Sequence, residues 1–186
     1  RGAETPLRPV ETILAQVARG DAPGGYIDSA ALPDAYRALL NELVHLDGRE
    51  DHIRALVAAG MPWDTPDGQG VTPVQAAGWA GKPGLVAFFL SQQPDLSHVN
   101  LYGGTLLSTI VHGSENAPAH AGQDHIACAR LALKEGVALP RRMPELAGDP
   151  EQAEAFYRRA MASDPGAIDS YLNLSALLAS AGKRLE

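Results

Sequence analysis

One cysteine, Cys128, stands among the 186 residues, so no disulfide can form within the chain and its fold must rest on packing. Aromatic residues make up only 5%. No stretch sustains an alternation of apolar and polar residues, which argues against the sheet classes. Basic residues number 15 against 22 acidic ones, for a net charge of −7, and no basic run interrupts that balance. A nucleic-acid backbone or an anionic membrane is therefore not the expected partner. No apolar run is long enough to cross a bilayer and no secretory leader is evident. The first residue is Arg1 rather than Met, so the expectation is a fragment or a processed chain. The expected compartment is the cytoplasm. There is no glycine-rich phosphate loop, no His-Glu-x-x-His and no Gly-x-Ser-x-Gly. Nothing in the residues supports catalysis, a cofactor or a small-molecule substrate.

What is present is helical. At 45% apolar content the chain can bury a core as one domain or one short repeat array. The stretch from Asp67 to Ser97, DGQGVTPVQAAGWAGKPGLVAFFLSQQPDLS, sets the pattern for the rest. Asp67, Gly68 and Gly70 are turn formers, and Thr72-Pro73 starts a helix with a side-chain cap and a proline at the first helical position. Ala76, Ala77, Gly78 and Ala80 make that helix thin, suited to close approach by neighbouring backbones, and Gly81 ends it. Pro83-Gly84 opens a second helix whose Leu85, Val86, Phe88, Phe89 and Leu90 form one broad apolar stripe. Turn, thin helix, glycine turn and apolar helix within about thirty-three residues describe a repeat unit that needs stacked neighbours to bury its face.

These residues resemble the ankyrin repeat. GVTPVQAAGWAG follows the family pattern Gly-x-Thr-Pro-Leu-His-x-Ala-Ala-x-x-Gly, and LVAFFLSQQPDLS follows its second helix and exit loop. The departures are Val74 for Leu, Gln75 for His, Gly78 for the second Ala, and Gln93-Pro94 for Gly-Ala. Loss of the histidine, which in the family ties adjacent loops together, implies a less rigid repeat. The fold class expected is all-α, an ankyrin-repeat solenoid over residues 1–145 with a C-terminal helical cap over 146–186.

The remainder reads as copies of the unit. PVETILAQVARG (9–20) resembles a lone second helix with Ile13 and Val17 inward, and Asp21 to Pro33 reads as a surface loop. Asp34 to Leu46 reads as one helix with Tyr36, Leu39, Leu40, Leu43 and Val44 on one side. HIRALVAAG (52–60) follows with Ile53, Leu56 and Val57 on its stripe. Gly48 to Gly60 spans twelve positions, as does Gly81 to Gln93, so the register holds. NLYGGTLLSTIVHG (100–113) begins another unit, its inter-helix turn expanded by an insertion at 114–123. The second helix resumes at Asp124 with Cys128, Ala129, Ala132 and Leu133 inward, and Gly136 closes it. Beyond a proline-flanked connector, Ala153, Tyr157, Ala160, Pro165, Tyr171, Leu174 and Gly182 sit at the spacings of a tetratricopeptide repeat, which this segment resembles.

The ankyrin resemblance implies a non-enzymatic scaffold that binds a partner protein through the concave side, using turn tips and the exposed faces of the short first helices. Carried over by position, those places are Gly68, Gln69, Val71, Trp79 and Ala80 in the clear repeat, then Leu101, Tyr102, Gly104, His112 and Gly113 in the next. Trp79 is the expected anchor, worth ~2 kcal/mol or more when truncated, and packing of its ring under the insertion is the alternative. Asp47, Asp64 and Asp67 would suit a basic partner or be a solvated rim. A different reading is a small metal-binding or regulatory domain built on His112, His120, Asp124, His125 and Cys128, since His125 and Cys128 share a helical three-residue spacing. Against it, His125 falls where the ankyrin pattern has a packing histidine, and Cys128 lies on the buried stripe, where a thiol stays protonated and inert. No metal is expected.

Overall fold

The computed structural model describes residues 7–137, with the isolated helical positions 154, 158, 162 and 172. Among the described residues the regular structure is all helical, with no strand. None of these helices is long and apolar enough to cross a membrane. The chain divides into two compact units, Arg1–Pro73 and Val74–Glu186. The tetratricopeptide-like segment and the cap expected at 146–186 lie outside the described residues, apart from those four positions.

In the first unit, α1 (Pro9–Ala18) starts with proline at its first turn and buries Ile13 and Val17. The Glu11 carboxylate takes the Arg8 backbone N–H at 2.8 Å and the guanidinium at 2.7 Å, tying off an otherwise open helix start. Gly20, at φ +81°, ends the helix. Its N–H donates to the Val17 carbonyl at 2.9 Å and the Asp21 N–H to that of Gln16 at 3.0 Å. These paired bonds satisfy carbonyls that a helix end leaves open.

Residues 21–33 form the largely exposed loop expected, pinned to the core at two points. Ile27 and Leu32 are 2% and 3% exposed, and the Ile27 N–H donates to the Ala59 carbonyl at 2.6 Å. Only Ser29–Ala31, a single 3₁₀ turn, is regular, and the Asp28 side chain accepts from the Ala30 N–H. Gly60 makes the approach possible, because a Cβ there would stand 2.7 Å from the Ile27 carbonyl oxygen.

The helix expected over 34–46 is interrupted. It divides into α2 (Asp34–Arg37) and α3 (Leu39–Val44) at Ala38, whose φ of −96° and ψ of 12° leave the helical region. The restart buries Leu40, Asn41 and Val44, so a polar side chain enters the core beside the apolar ones. α4 (Glu50–Ala58) buries Ile53 and Leu56 and packs against α1 and α3. It ends as α1 does, with Gly60 donating to Val57 and Met61 to Leu56.

The second unit holds α5 (Pro73–Trp79) from its second residue on, then α6 (Pro83–Ser91), α7 (Leu106–Asn116) and α8 (His125–Lys134). α8 packs against both α6 and α7. Leu85, Val86, Phe89 and Leu90 of α6 are buried, each contributing roughly 1.5–3 kcal/mol of apolar transfer. Opposite them, Cys128, Ala129 and Ala132 are fully covered, small side chains that allow close approach. α5 and α7 meet nearly backbone to backbone. A Cβ on Gly78 would lie 2.7 Å from Ile110 Cγ1, and one on Gly113 would lie 2.6 Å from Trp79 Cα. The expansion expected at 114–123 is shorter as a loop, because α7 runs on through Asn116. That leaves residues 117–124 to return the chain to α8.

Candidate partner-binding tips and the buried network behind them

Two turns thirty-three positions apart have the same construction (100 − 67 = 33). In the first, the Asp67 N–H donates to the Val71 carbonyl at 3.0 Å and the Gly70 N–H to the Asp67 carbonyl at 2.9 Å. The Asp67 carboxylate takes the N–H groups of Gln69 and Val71 at 2.8 and 2.9 Å. In the second, Asn100 donates to Gly104 at 3.0 Å and Gly103 to Asn100 at 2.9 Å. The Asn100 side-chain oxygen takes the N–H groups of Tyr102 and Gly104 at 3.1 and 2.9 Å. Gly70 and Gly103 occupy the left-handed region at φ +72° and +78°, where a side chain would be strained. One short polar side chain therefore organises each tip.

Behind each tip a buried amide donates to it. Asn41 Nδ2 lies 2.7 Å from the Val71 carbonyl oxygen. Thirty-four residues later (75 − 41 = 34), Gln75 Nε2 lies 3.0 Å from the Gly104 carbonyl oxygen and 3.5 Å from that of His98. Gln75 is 1% exposed. Glutamine where the ankyrin pattern has histidine was expected to loosen this repeat; the Gln75 amide nonetheless ties α5 to the 98–104 turn. Asn100 and Thr109 complete a buried polar layer, with Asn100 Nδ2 3.5 Å from Thr109 Oγ1 and that hydroxyl donating to the Thr105 carbonyl at 2.8 Å. Asn41 Oδ1 is buried without a hydrogen-bond partner, and its Nδ2 meets one carbonyl of the first tip where Gln75 Nε2 meets two of the second.

The expected partner residues separate into exposed and covered ones. Gln69 is exposed, Val71 half-buried, His112 exposed and Trp79 half-buried. Gly104 is half-buried, so its backbone is only partly open. Tyr102 is 75% exposed and Leu101 76%. Ala80, expected to face a partner, is 4% exposed, and Gly113 is also buried. The cause is the close α5–α7 approach, which covers the end of α5. Val99, 52% exposed, extends the open apolar surface of the second tip and was missed. The signal for it was Val-Asn-Leu-Tyr on a turn whose twin reads Pro-Asp-Gly-Gln.

Covering the end of α5 leaves its carbonyls in need of donors, and the return loop supplies them. In the turn after α5 the Gly81 and Lys82 N–H groups donate to the Gly78 and Ala77 carbonyls at 3.1 and 3.0 Å. His125 Nε2 lies 2.9 Å from the Trp79 carbonyl oxygen and His120 Nε2 2.6 Å from that of Ala80. The Asp124 N–H donates to Gly81 at 2.8 Å. A carbonyl can only accept, so each of these ring nitrogens carries a proton and is not open to a metal. Cys128 is fully covered, and burial, helped by the nearby Asp124 carboxylate, pushes its thiol up to about 12. His112 Nδ1 sits 3.2 Å from Asn116 Nδ2 on the same helix. Among the described residues no three histidine, cysteine, aspartate or glutamate side chains gather as a metal site. The arrangement of His120 and His125 closes a helix end.

No protein-family model and no curated protein matches the chain. Among solved structures, a chain from the complex of the predatory endopeptidase Bd0816 of Bdellovibrio bacteriovorus with the immunity protein Bd3460 resembles it. The TM-score is 0.47 and the identity 23%, over 67% of this chain. This chain spans 63% of that chain's length.

Proposed function

We propose that the chain is a non-enzymatic ankyrin-type scaffold of the cytoplasm that binds a partner protein through turn tips and the open sides of its short first helices. The twin tips support the ankyrin reading, as do the amides that donate to them and the left-handed glycines that close α1, α4 and α8. One observation carries the binding reading: Leu101 and Tyr102, 76% and 75% exposed, stand where the other tip has Gly68 and Gln69. The same turn forms without large apolar groups, so folding does not require them. An exposed leucine and tyrosine on a fixed turn resemble interface anchors.

The test is photo-cross-linking in cells with Tyr102→p-benzoylphenylalanine, repeated with Leu101→Asp. A discrete product with one protein, lost with Leu101→Asp while the helical circular-dichroism spectrum is unchanged, is the expected result. No product from position 102 rejects this face. Trp79→Ala, tested alongside, separates the tip from the half-buried end of α5.

A further inference from the structure

Resting on that reading, we infer that Gln75 is a positioning residue for the 98–104 tip, its single side-chain amide stapling both legs of the turn so that Leu101 and Tyr102 meet a partner already ordered. The two legs are the His98 and Gly104 carbonyls, 3.5 and 3.0 Å from Nε2. They flank the exposed pair on either side. Asn100 fixes the turn from within through Tyr102 and Gly104, whereas Gln75 reaches it from a separate element, α5. The companion tip provides the contrast. Asn41, one methylene shorter, donates to Val71 alone, and its oxygen is unpartnered. The apolar tip thus has two carbonyls held where the polar tip has one. Ordering a backbone residue on binding costs on the order of 1–2 kcal/mol, so holding the turn in advance removes a penalty that would otherwise fall on affinity.

Backbone ¹⁵N relaxation on the full chain tests this without any partner. In the wild type, order parameters at Leu101, Tyr102 and Gly103 should stand near ~0.85, and in Gln75→Leu they should fall below ~0.6. The amides of α6 and α8 should be unchanged. Gln75→Asn keeps a donor but shortens its reach, and is the variant to use if the leucine form does not fold; it should loosen the tip to an intermediate degree. A purely structural role would lower the melting temperature and leave tip order alone, so tip amides as rigid as wild type in the folded variants overturn the assignment. Cross-linking from position 102 then addresses presentation, with a yield about tenfold lower in Gln75→Asn, the factor that one ordered residue amounts to. Equal yields in the two backgrounds overturn it. Absence of any product in the otherwise wild-type chain rejects the docking face itself, a failure distinct from the relaxation result.

Discussion

Gly113→Ala puts the close approach of α5 and α7 to its sharpest test, because two effects of opposite sign compete there. Alanine is the better helix former by about 1 kcal/mol, so on propensity alone the change inside α7 would stabilise. The structure points the other way. The new methyl carbon would stand 2.6 Å from Trp79 Cα and 2.7 Å from its carbonyl carbon, and both are backbone atoms that no rotamer change can move. The helices must separate, at a typical overpacking cost of about 1–3 kcal/mol. Separation also pulls the Trp79 carbonyl from His125 Nε2, now at 2.9 Å, and a buried acceptor left unpaired costs roughly 1–3 kcal/mol more. Net destabilisation should be about 2 kcal/mol or more, a fall of roughly 4–8 °C in melting temperature for a chain of this size. Trp63 and Trp79 are the two tryptophans, so fluorescence in a Trp63→Phe background follows the second unit through Trp79. Gly84→Ala is the control. It sits in α6 with nothing within 4 Å of the position its Cβ would take, and should gain from a few tenths to ~1 kcal/mol. A Gly113→Ala protein as stable as its parent would mean that the two helices are not in contact at that point.

Three further outcomes follow from single residues. The Cys128 thiol, raised by burial from its ordinary value of 9.0 to about 12, is protonated in the folded state where the unfolded chain would ionise. Its contribution is complete below pH 9 and is lost as pH climbs from 9 towards 12, so urea midpoints should decline over that window and decline less in Cys128→Ala. At pH 8 a thiol reagent should label it only as fast as the protein opens. Gln93 holds φ +61°, a left-handed conformation that disfavours a side chain, and Gln93→Gly should stabilise by about 0.5–1 kcal/mol in chemical denaturation. His125→Ala removes the donor to the Trp79 carbonyl and should cost about 1–3 kcal/mol in the same assay. A loss below 0.5 kcal/mol would show that water replaces the imidazole there.

What the residues disclosed in advance was whatever follows from period and punctuation. The stripe of α6 could be read because Leu85, Val86, Phe89 and Leu90 recur at helical spacing, and the helix stops because Gly20, Gly60, Gly81 and Gly136 have few other uses at the end of an apolar stripe. The break at Ala38 carried no such mark: alanine is the best of helix formers, and tertiary placement of Leu40, Asn41 and Val44 decided the matter. Ile27 and Leu32 were hidden for a similar reason. They are isolated apolar residues among Gly, Pro and Asp, and only the bare surface of Gly60 shows where the chain would lie.

The polar network was harder to see, because its members differ in chemistry and in side-chain length. Asn41 and Gln75 are each the third residue of a helix, α3 and α5, while Thr109 is the fourth of α7, so as a string the three look unrelated. Their common task is to hold the buried backbone near a turn, and amides or a hydroxyl can all do that. Side-chain length then separates them: Asn41 reaches one carbonyl, Gln75 two, and Thr109 turns back to the Thr105 carbonyl of its own helix. A histidine at position 75, neutral, would have one ring N–H to offer and could not bond both legs of the tip at full strength. Glutamine at position 75 is on this argument a gain in rigidity over histidine, located behind the tip whose Leu101 and Tyr102 folding does not explain.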